Sequence, residues 1–194
     1  IWVASQLALS ELLRQHSPDV LFLSETHLND SSREILHVKL GFDSKFVSPS
    51  DGRGGGLIMM CKNNVNMQLN YYHDNFIDVV VKGADPSTDW RLTGMYGEPV
   101  WRHKHRTWKH FRDLHAKGNL PWVVIGDLNE ILYSSEKEGG NARPLSYMSV
   151  FRDCLTDCSP EDLGYIGNKF TWKRGRIRER LDRAVWNMAW AGMF

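Results

Sequence analysis

Cysteine is scarce: the 194 residues hold three, Cys61, Cys154 and Cys158, with no CxxC pair. An odd set argues against a disulfide framework. The lack of histidines at ligand spacing argues against zinc, which leaves structural thiols of a reducing compartment. Cys154 and Cys158, four apart, are expected on one helical face. Long apolar runs are also missing. The longest, residues 122–125 and 57–61, fall far short of the roughly 20 needed to span a bilayer. No basic, apolar, small-residue leader opens the chain, so nothing argues for secretion. The start at Ile1 rather than Met suggests a fragment. No repeat or long linker divides the sequence, so 1–194 is expected to form a single domain. Neither charge sign dominates, because 24 Lys and Arg against 23 Asp and Glu leave a net +1.

Charge is present in clusters instead. From Lys169 to Arg183 there are seven Lys or Arg against two acids. Residues 102–112 set further Arg, Lys and His around Trp101 and Trp108. Basic clusters with interleaved aromatics suit phosphate backbones and stacked bases. A solvated helix face is the alternative.

Local pattern predicts a helix over 4–16, stopping before Pro18. The run Val20-Leu21-Phe22-Leu23 reads as a strand buried on both faces, ending in Ser24-Glu25-Thr26. A mixed segment follows, then a glycine-rich turn over 51–56. Strands are predicted at 57–61, 65–69, 76–82 and 90–96. A helix is predicted over 101–116, with Trp108, Phe111 and Leu114 inward. A second fully buried strand covers 121–125, and a helix covers 146–155. Short strands at 170–173 and 181–185 are joined by a basic turn. Several consecutive strands need no crossover helix, which favours a layered α/β sandwich over a strictly alternating doubly wound sheet.

Both buried strands end in acids, Glu25 and Asp127. A charge there is solvated only if it faces a cleft or a cation. In extended chain Asp127 and Asn129 point the same way, and a carboxylate beside an amide can serve a hard cation and a phosphoryl oxygen together. Gly, Asp and Asn are also ordinary turn formers.

The stretch from Pro121 to Glu130, with Gly126-Asp127-Leu128-Asn129 at its end, resembles the signature strand of the endonuclease/exonuclease/phosphatase (deoxyribonuclease I-like) superfamily. Four further stretches match in order: the strand before Glu25-Thr26, the strand into Tyr96-Gly97, Thr171-Trp172, and Arg180-Leu181-Asp182-Arg183. The wording around them, including Glu136-Lys137-Glu138-Gly139-Gly140, is most similar to the endonuclease domain of plant LINE-type retrotransposons.

The resemblance implies a deoxyribonuclease I-like α/β sandwich that hydrolyses DNA phosphodiesters with Mg²⁺, or with Mn²⁺ in its place. Glu25 and Asp127 would hold the metal. Asp127 would also position or deprotonate the attacking water. Asn129 and Tyr96 would donate to phosphate oxygens, and Asp182 would orient a catalytic histidine. Beside what the resemblance implies, the basic cluster itself offers Arg174, Arg176, Arg178 and Arg180, with Trp172, as the candidate nucleic-acid surface. The implied partner is DNA, with no membrane and no obligate protein partner, and the implied location is nuclear.

Two family features are not in this sequence. Ile1-Trp2-Val3-Ala4-Ser5 leads into the first helix without the family's metal-binding asparagine, and no histidine follows His115 to serve as the Ser-Asp-His motif. The expectation is therefore a sandwich without its first and last strands. A positioned acid/base worth about 10²–10⁴ in rate would be absent. A remnant that binds nucleic acid without cutting it, and a phosphatase of the same superfamily, are the alternatives.

Overall fold

The run Leu57–Cys61 is buried at every position because it separates two cores. Successive strand side chains face opposite ways. Leu57 and Met59 enter one core with Ile77, Val79, Leu92 and Val123, while Ile58 and Met60 enter another with Phe42 and Leu36.

The computed structural model describes residues 2–48 and 55–193, without the side chains of residues 2–7 and 30. Most of the turn expected over 51–56 thus lies outside the described residues. In chain order the elements are α1 (Trp2–His16), β1 (Val20–Leu23), α2 (Asp30–Lys39), β2 (Ser44–Ser48), β3 (Leu57–Cys61) and β4 (Asn66–His73). Then follow β5 (Phe76–Lys82), β6 (Trp90–Met95), α3 (Lys104–His115), β7 (Trp122–Asp127), β8 (Lys137–Glu138) and α4 (Leu145–Cys158). The chain continues with β9 (Glu161–Asp162), β10 (Trp172–Arg174), β11 (Ile177–Glu179), β12 (Asp182–Trp186) and α5 (Met188–Ala191).

Two sheets stack face to face. One has the order β1-β3-β2 and the other β4-β5-β6-β7-β12-β9. In the larger sheet β6 and β7 are the parallel pair, and the other neighbours are antiparallel. A parallel pair needs a crossover, which α3 supplies. Its inward residues Trp108, Phe111 and Leu114 pack with Phe151, Cys154 and Cys158 of α4 on Phe76, Trp122, Val124 and Val185. The layers therefore run helix, sheet, sheet, helix, the expected α/β sandwich. Cys154 and Cys158 do share one buried face of α4. A Cβ on Gly94 would sit 2.2 Å from the Phe22 ring of the opposite sheet. Gly94→Ala is expected to cost about 1–3 kcal/mol by overpacking, read as a lower urea midpoint at constant slope.

Four expectations change. The strand β1 is only half-buried, because it is an edge strand of its sheet. The mixed segment holds α2, capped by Asn29, whose side chain accepts from the Ser32 N–H at 2.9 Å, and also β2. The basic turn between residues 173 and 181 is a hairpin, β10–β11, which pairs with β8 as a third sheet. The basic cluster over 102–112 is divided: Trp108 and Lys104 are buried, and Arg112 pairs with Asp157 at 2.7 Å.

Candidate active site

Asp127 ends the buried strand β7, and the chain turns there in a way only glycine allows. Gly126 has φ +136°, and a Cβ on it would lie 2.1 Å from the Met95 carbonyl oxygen. Asn129 then adopts φ +54°, with its backbone N–H donating to Asp127 Oδ1 at 2.7 Å. Asp127 and Asn129 thus converge through a tight Asx turn rather than through strand alternation. The amide of Asn129 donates to the Gly97 carbonyl at 2.8 Å, and its side chain also bonds to Tyr96. Gly97 in turn donates its N–H to the Asp127 carbonyl at 2.7 Å. These bonds bring the end of β6, with Tyr96, against the end of β7.

Glu25 arrives from the other sheet on a loop in left-handed conformation, φ +50°. The loop is tied to the residues just ahead of β3, where Thr26 Oγ1 donates to the Gly55 carbonyl at 2.8 Å and His27 N–H donates to the same oxygen at 2.6 Å. The Tyr96 hydroxyl donates to Glu25 Oε1. Glu25, Tyr96, Asp127, Asn129 and Trp172 line one cleft of about 330 Å³, together with Pro99, Arg143, Glu179 and Leu181.

Asp182 stands opposite Asp127 in the β12–β7 register. Thr171 fixes that stretch, its Oγ1 accepting from the Leu181 and Asp182 N–H groups at 3.0 Å each. Asp182 forms no ion pair among the described residues, and no histidine lines the cleft there. The effect of Asp182 falls on Asp127 instead. Burial first, then the charges of Asp182 and Glu25, push the Asp127 carboxyl up to about 6, against the pull of the Asn129 N–H and Lys104. Burial and the Glu25 carboxylate raise the Tyr96 phenol, so it keeps its proton.

The arginines divide by burial. Arg174 and Arg176 are exposed at the hairpin tip, and Arg178 is half-exposed beside Glu138. Arg180 is not at the surface: it is 6% exposed and bound to Glu136 at 2.9 Å and Asp162 at 2.7 Å. A guanidinium held by two acids has little left for a phosphate, so the surface cluster is Arg174, Arg176 and Arg178. Sequence patterning missed Lys104, Glu130 and Arg143. Buried Lys104 donates to the Asn129 carbonyl and lies 3.4 Å from Glu130, which is fully buried. The one available signal was Glu130 itself, an acid directly after the signature Asn129.

Three carboxylates, Glu25, Asp127 and Glu179, thus share one cleft with the Tyr96 phenol. The model of the Endonuclease/Exonuclease/phosphatase family matches residues 2–191. The chain belongs to that family. No curated protein matches it in sequence. Solved structures of the same fold include the endonuclease domain of TRAS1, a telomere-specific non-LTR retrotransposon, at 13% identity and TM-score 0.69, over 94% of this chain and 78% of that one. The 3′ phosphatase NExo from Neisseria, bound to a product DNA hairpin, gives 16% identity and TM-score 0.72, over 98% and 84%. The AP endonuclease LMAP from Leishmania major gives 15% and 0.72, over 97% and 75%. At these identities the likeness is one of fold.

Proposed function

We propose that this chain is a Mg²⁺-dependent endonuclease domain of retrotransposon origin that hydrolyses DNA phosphodiesters in the cleft of Glu25, Tyr96, Asp127 and Asn129. The observation that carries this is geometric: Glu25 after β1, Tyr96 after β6, and Asp127 and Asn129 at the end of β7 line one cleft. The all-oxygen donor set fits a hard divalent cation. No group of three His, Cys, Asp or Glu converges among the described residues, so Glu25 and Asp127 would supply one or two carboxylates and leave the rest to water and phosphate, which is the habit of Mg²⁺. When bound, the ion supplies Lewis-acid stabilisation of charge on the phosphate oxygens.

The chain's own residues do the remainder. Asp127, at the end of β7, is the group that positions or deprotonates the attacking water. Tyr96, held protonated, and the Asn129 amide donate to phosphate oxygens; Tyr96 must leave Glu25 to do so. Trp172 offers a partly exposed ring for stacking beside the cleft, and Arg174, Arg176 and Arg178 offer charge to the backbone. A nuclear location follows from a DNA substrate. No described helix is long and apolar enough to cross a membrane.

Plasmid nicking with Mg²⁺, compared between this chain and Asp127→Ala, tests the proposal. Nicking by the first and not the second is expected. Equal signals, or none from either, would favour the second reading, binding without cleavage through the exposed Arg174 and Arg176. Under that reading DNA affinity still falls with salt.

A further inference from the structure

Five charged side chains lie between the Asp127–Glu130 turn and the hairpin: Lys104, Glu130, Lys137, Arg143 and Glu179. All are mostly buried, with side-chain exposures of 22% or less. Three cations face two anions here, and the cleft's own Asp127 supplies the third. Buried charge is tolerated when an opposite charge meets it. Asp127 lies near enough to Lys104 to act on it. Arg143 opens onto the cleft itself and is the single cation among its described lining residues.

The guanidinium of Arg143 is anchored along one edge. Nη2 donates to Glu179 Oε2 at 2.8 Å. Nε lies 3.1 Å from Glu130 Oε1 but off the hydrogen-bond direction, a charge contact without a directed bond. Nη1 donates to no described residue. The loop that carries Arg143 is also fixed in place. Gly139 and Gly140 have φ +74° and +64°, and a Cβ on Gly139 would sit 2.5 Å from the Arg176 carbonyl oxygen. The loop therefore lies flat against the hairpin tip. A planar donor held by one edge, with the other edge open toward a cleft, matches a phosphate's oxygens better than a lysine would.

We infer that Arg143 is a phosphate-contacting residue, gripping a non-bridging phosphodiester oxygen of the nucleic-acid strand that occupies the cleft. The inference rests on the nuclease reading above and adds the residue that couples the hairpin to the catalytic turn. It is tested by titrating a fluorescent DNA duplex in EDTA with the wild-type chain, Arg143→Lys and Arg143→Gln at several salt concentrations. Arg143→Gln should weaken binding about tenfold and flatten the slope of log K against log salt by about one. Arg143→Lys should keep the slope and still bind less tightly.

Wild-type affinity and slope in Arg143→Gln would overturn the inference. So would unfolding of both variants, which would assign Arg143 to the scaffold. If wild type binds DNA but does not nick it, the nuclease reading fails and the same titration still decides Arg143. If wild type does not bind the duplex, inorganic phosphate decides. A phosphate-dependent shift of the Trp172 indole resonance that is lost in Arg143→Gln supports the contact, and an unchanged or absent shift refutes it.

Discussion

Asp127→Asn is expected to lower DNA nicking by about 10²–10⁴ and yet to make the metal-free protein harder to unfold near neutral pH. The folded carboxyl titrates at about 6, above the roughly 3.9 of an unfolded aspartate. A carboxylate whose pKa is raised on folding gives its full contribution below the unfolded value and loses it as pH rises toward the folded one. Below about pH 4 the two proteins should therefore unfold at similar urea concentrations, since both carry a neutral group there. Above about pH 6 the wild type must hold a charge that burial and Asp182 oppose. A two-unit shift corresponds to at most about 3 kcal/mol, and partial solvent access reduces this to an expected gain of about 1–2 kcal/mol for the amide. Urea midpoints in EDTA at about pH 4 and 7.5 check the sign. Equal midpoints at both would mean that Asp127 is not held as a strained base. Trading stability for a working site is common in enzymes.

The largest loss of stability is expected from Glu136→Ala. Glu136 is 4% exposed and accepts from Arg180 Nη1 at 2.9 Å, Arg183 Nη2 at 2.8 Å and the Leu132 N–H at 2.7 Å. Asp162 shares both arginines, at 2.7 Å from Arg180 and hydrogen-bonded to Arg183. Removing Glu136 leaves two buried guanidiniums to one half-buried acid. Breaking such a pair typically costs about 3–5 kcal/mol. The arginines flank Leu181 and Asp182, so the carboxylate opposite Asp127 should shift as well, and nicking should fall with stability.

The pH dependence has the opposite sign to that of Asp127. Burial tends to raise Glu136, but the arginines and the Leu132 N–H outweigh it and hold the carboxyl below its usual range; Asp162 is lowered by the same arginines, against its own burial. Their contribution is complete above about pH 4.3 and is lost as pH falls through the lowered values. Wild type and Glu136→Ala should therefore converge in acid. A difference below about 1 kcal/mol near pH 7 would show that the network is dispensable.

The motif residues that converge were legible because each sits at the end of an apolar run, and such runs are local. Residues 20–23, 57–61 and 122–125 reveal strands by composition, and Glu25 and Asp127 follow two of them directly. What α2 and β2 lacked was a clean period: α2 carries exposed Ile35 and Val38 on the side away from the core. The hairpin was hidden because Lys173 to Arg178 shows no apolar alternation; it is held by pairing with β8 rather than by burial.

By itself the sequence determined the layered α/β class, the family, and the two acid-ended strands around which the cleft forms. Those features depend on patterns within ten or so neighbouring residues. Only the tertiary structure decided which charges are buried in pairs and which remain in solvent. Arg180 and Arg183 turn inward to Glu136, more than forty residues away in sequence, while Arg174 and Arg176 of the same run remain in solvent. Arg143 was unremarked in sequence, and its place is set by Glu130 from the Asp127 turn and Glu179 from the hairpin. A long cationic side chain goes wherever a buried carboxylate needs it. No local pattern records where that carboxylate will be.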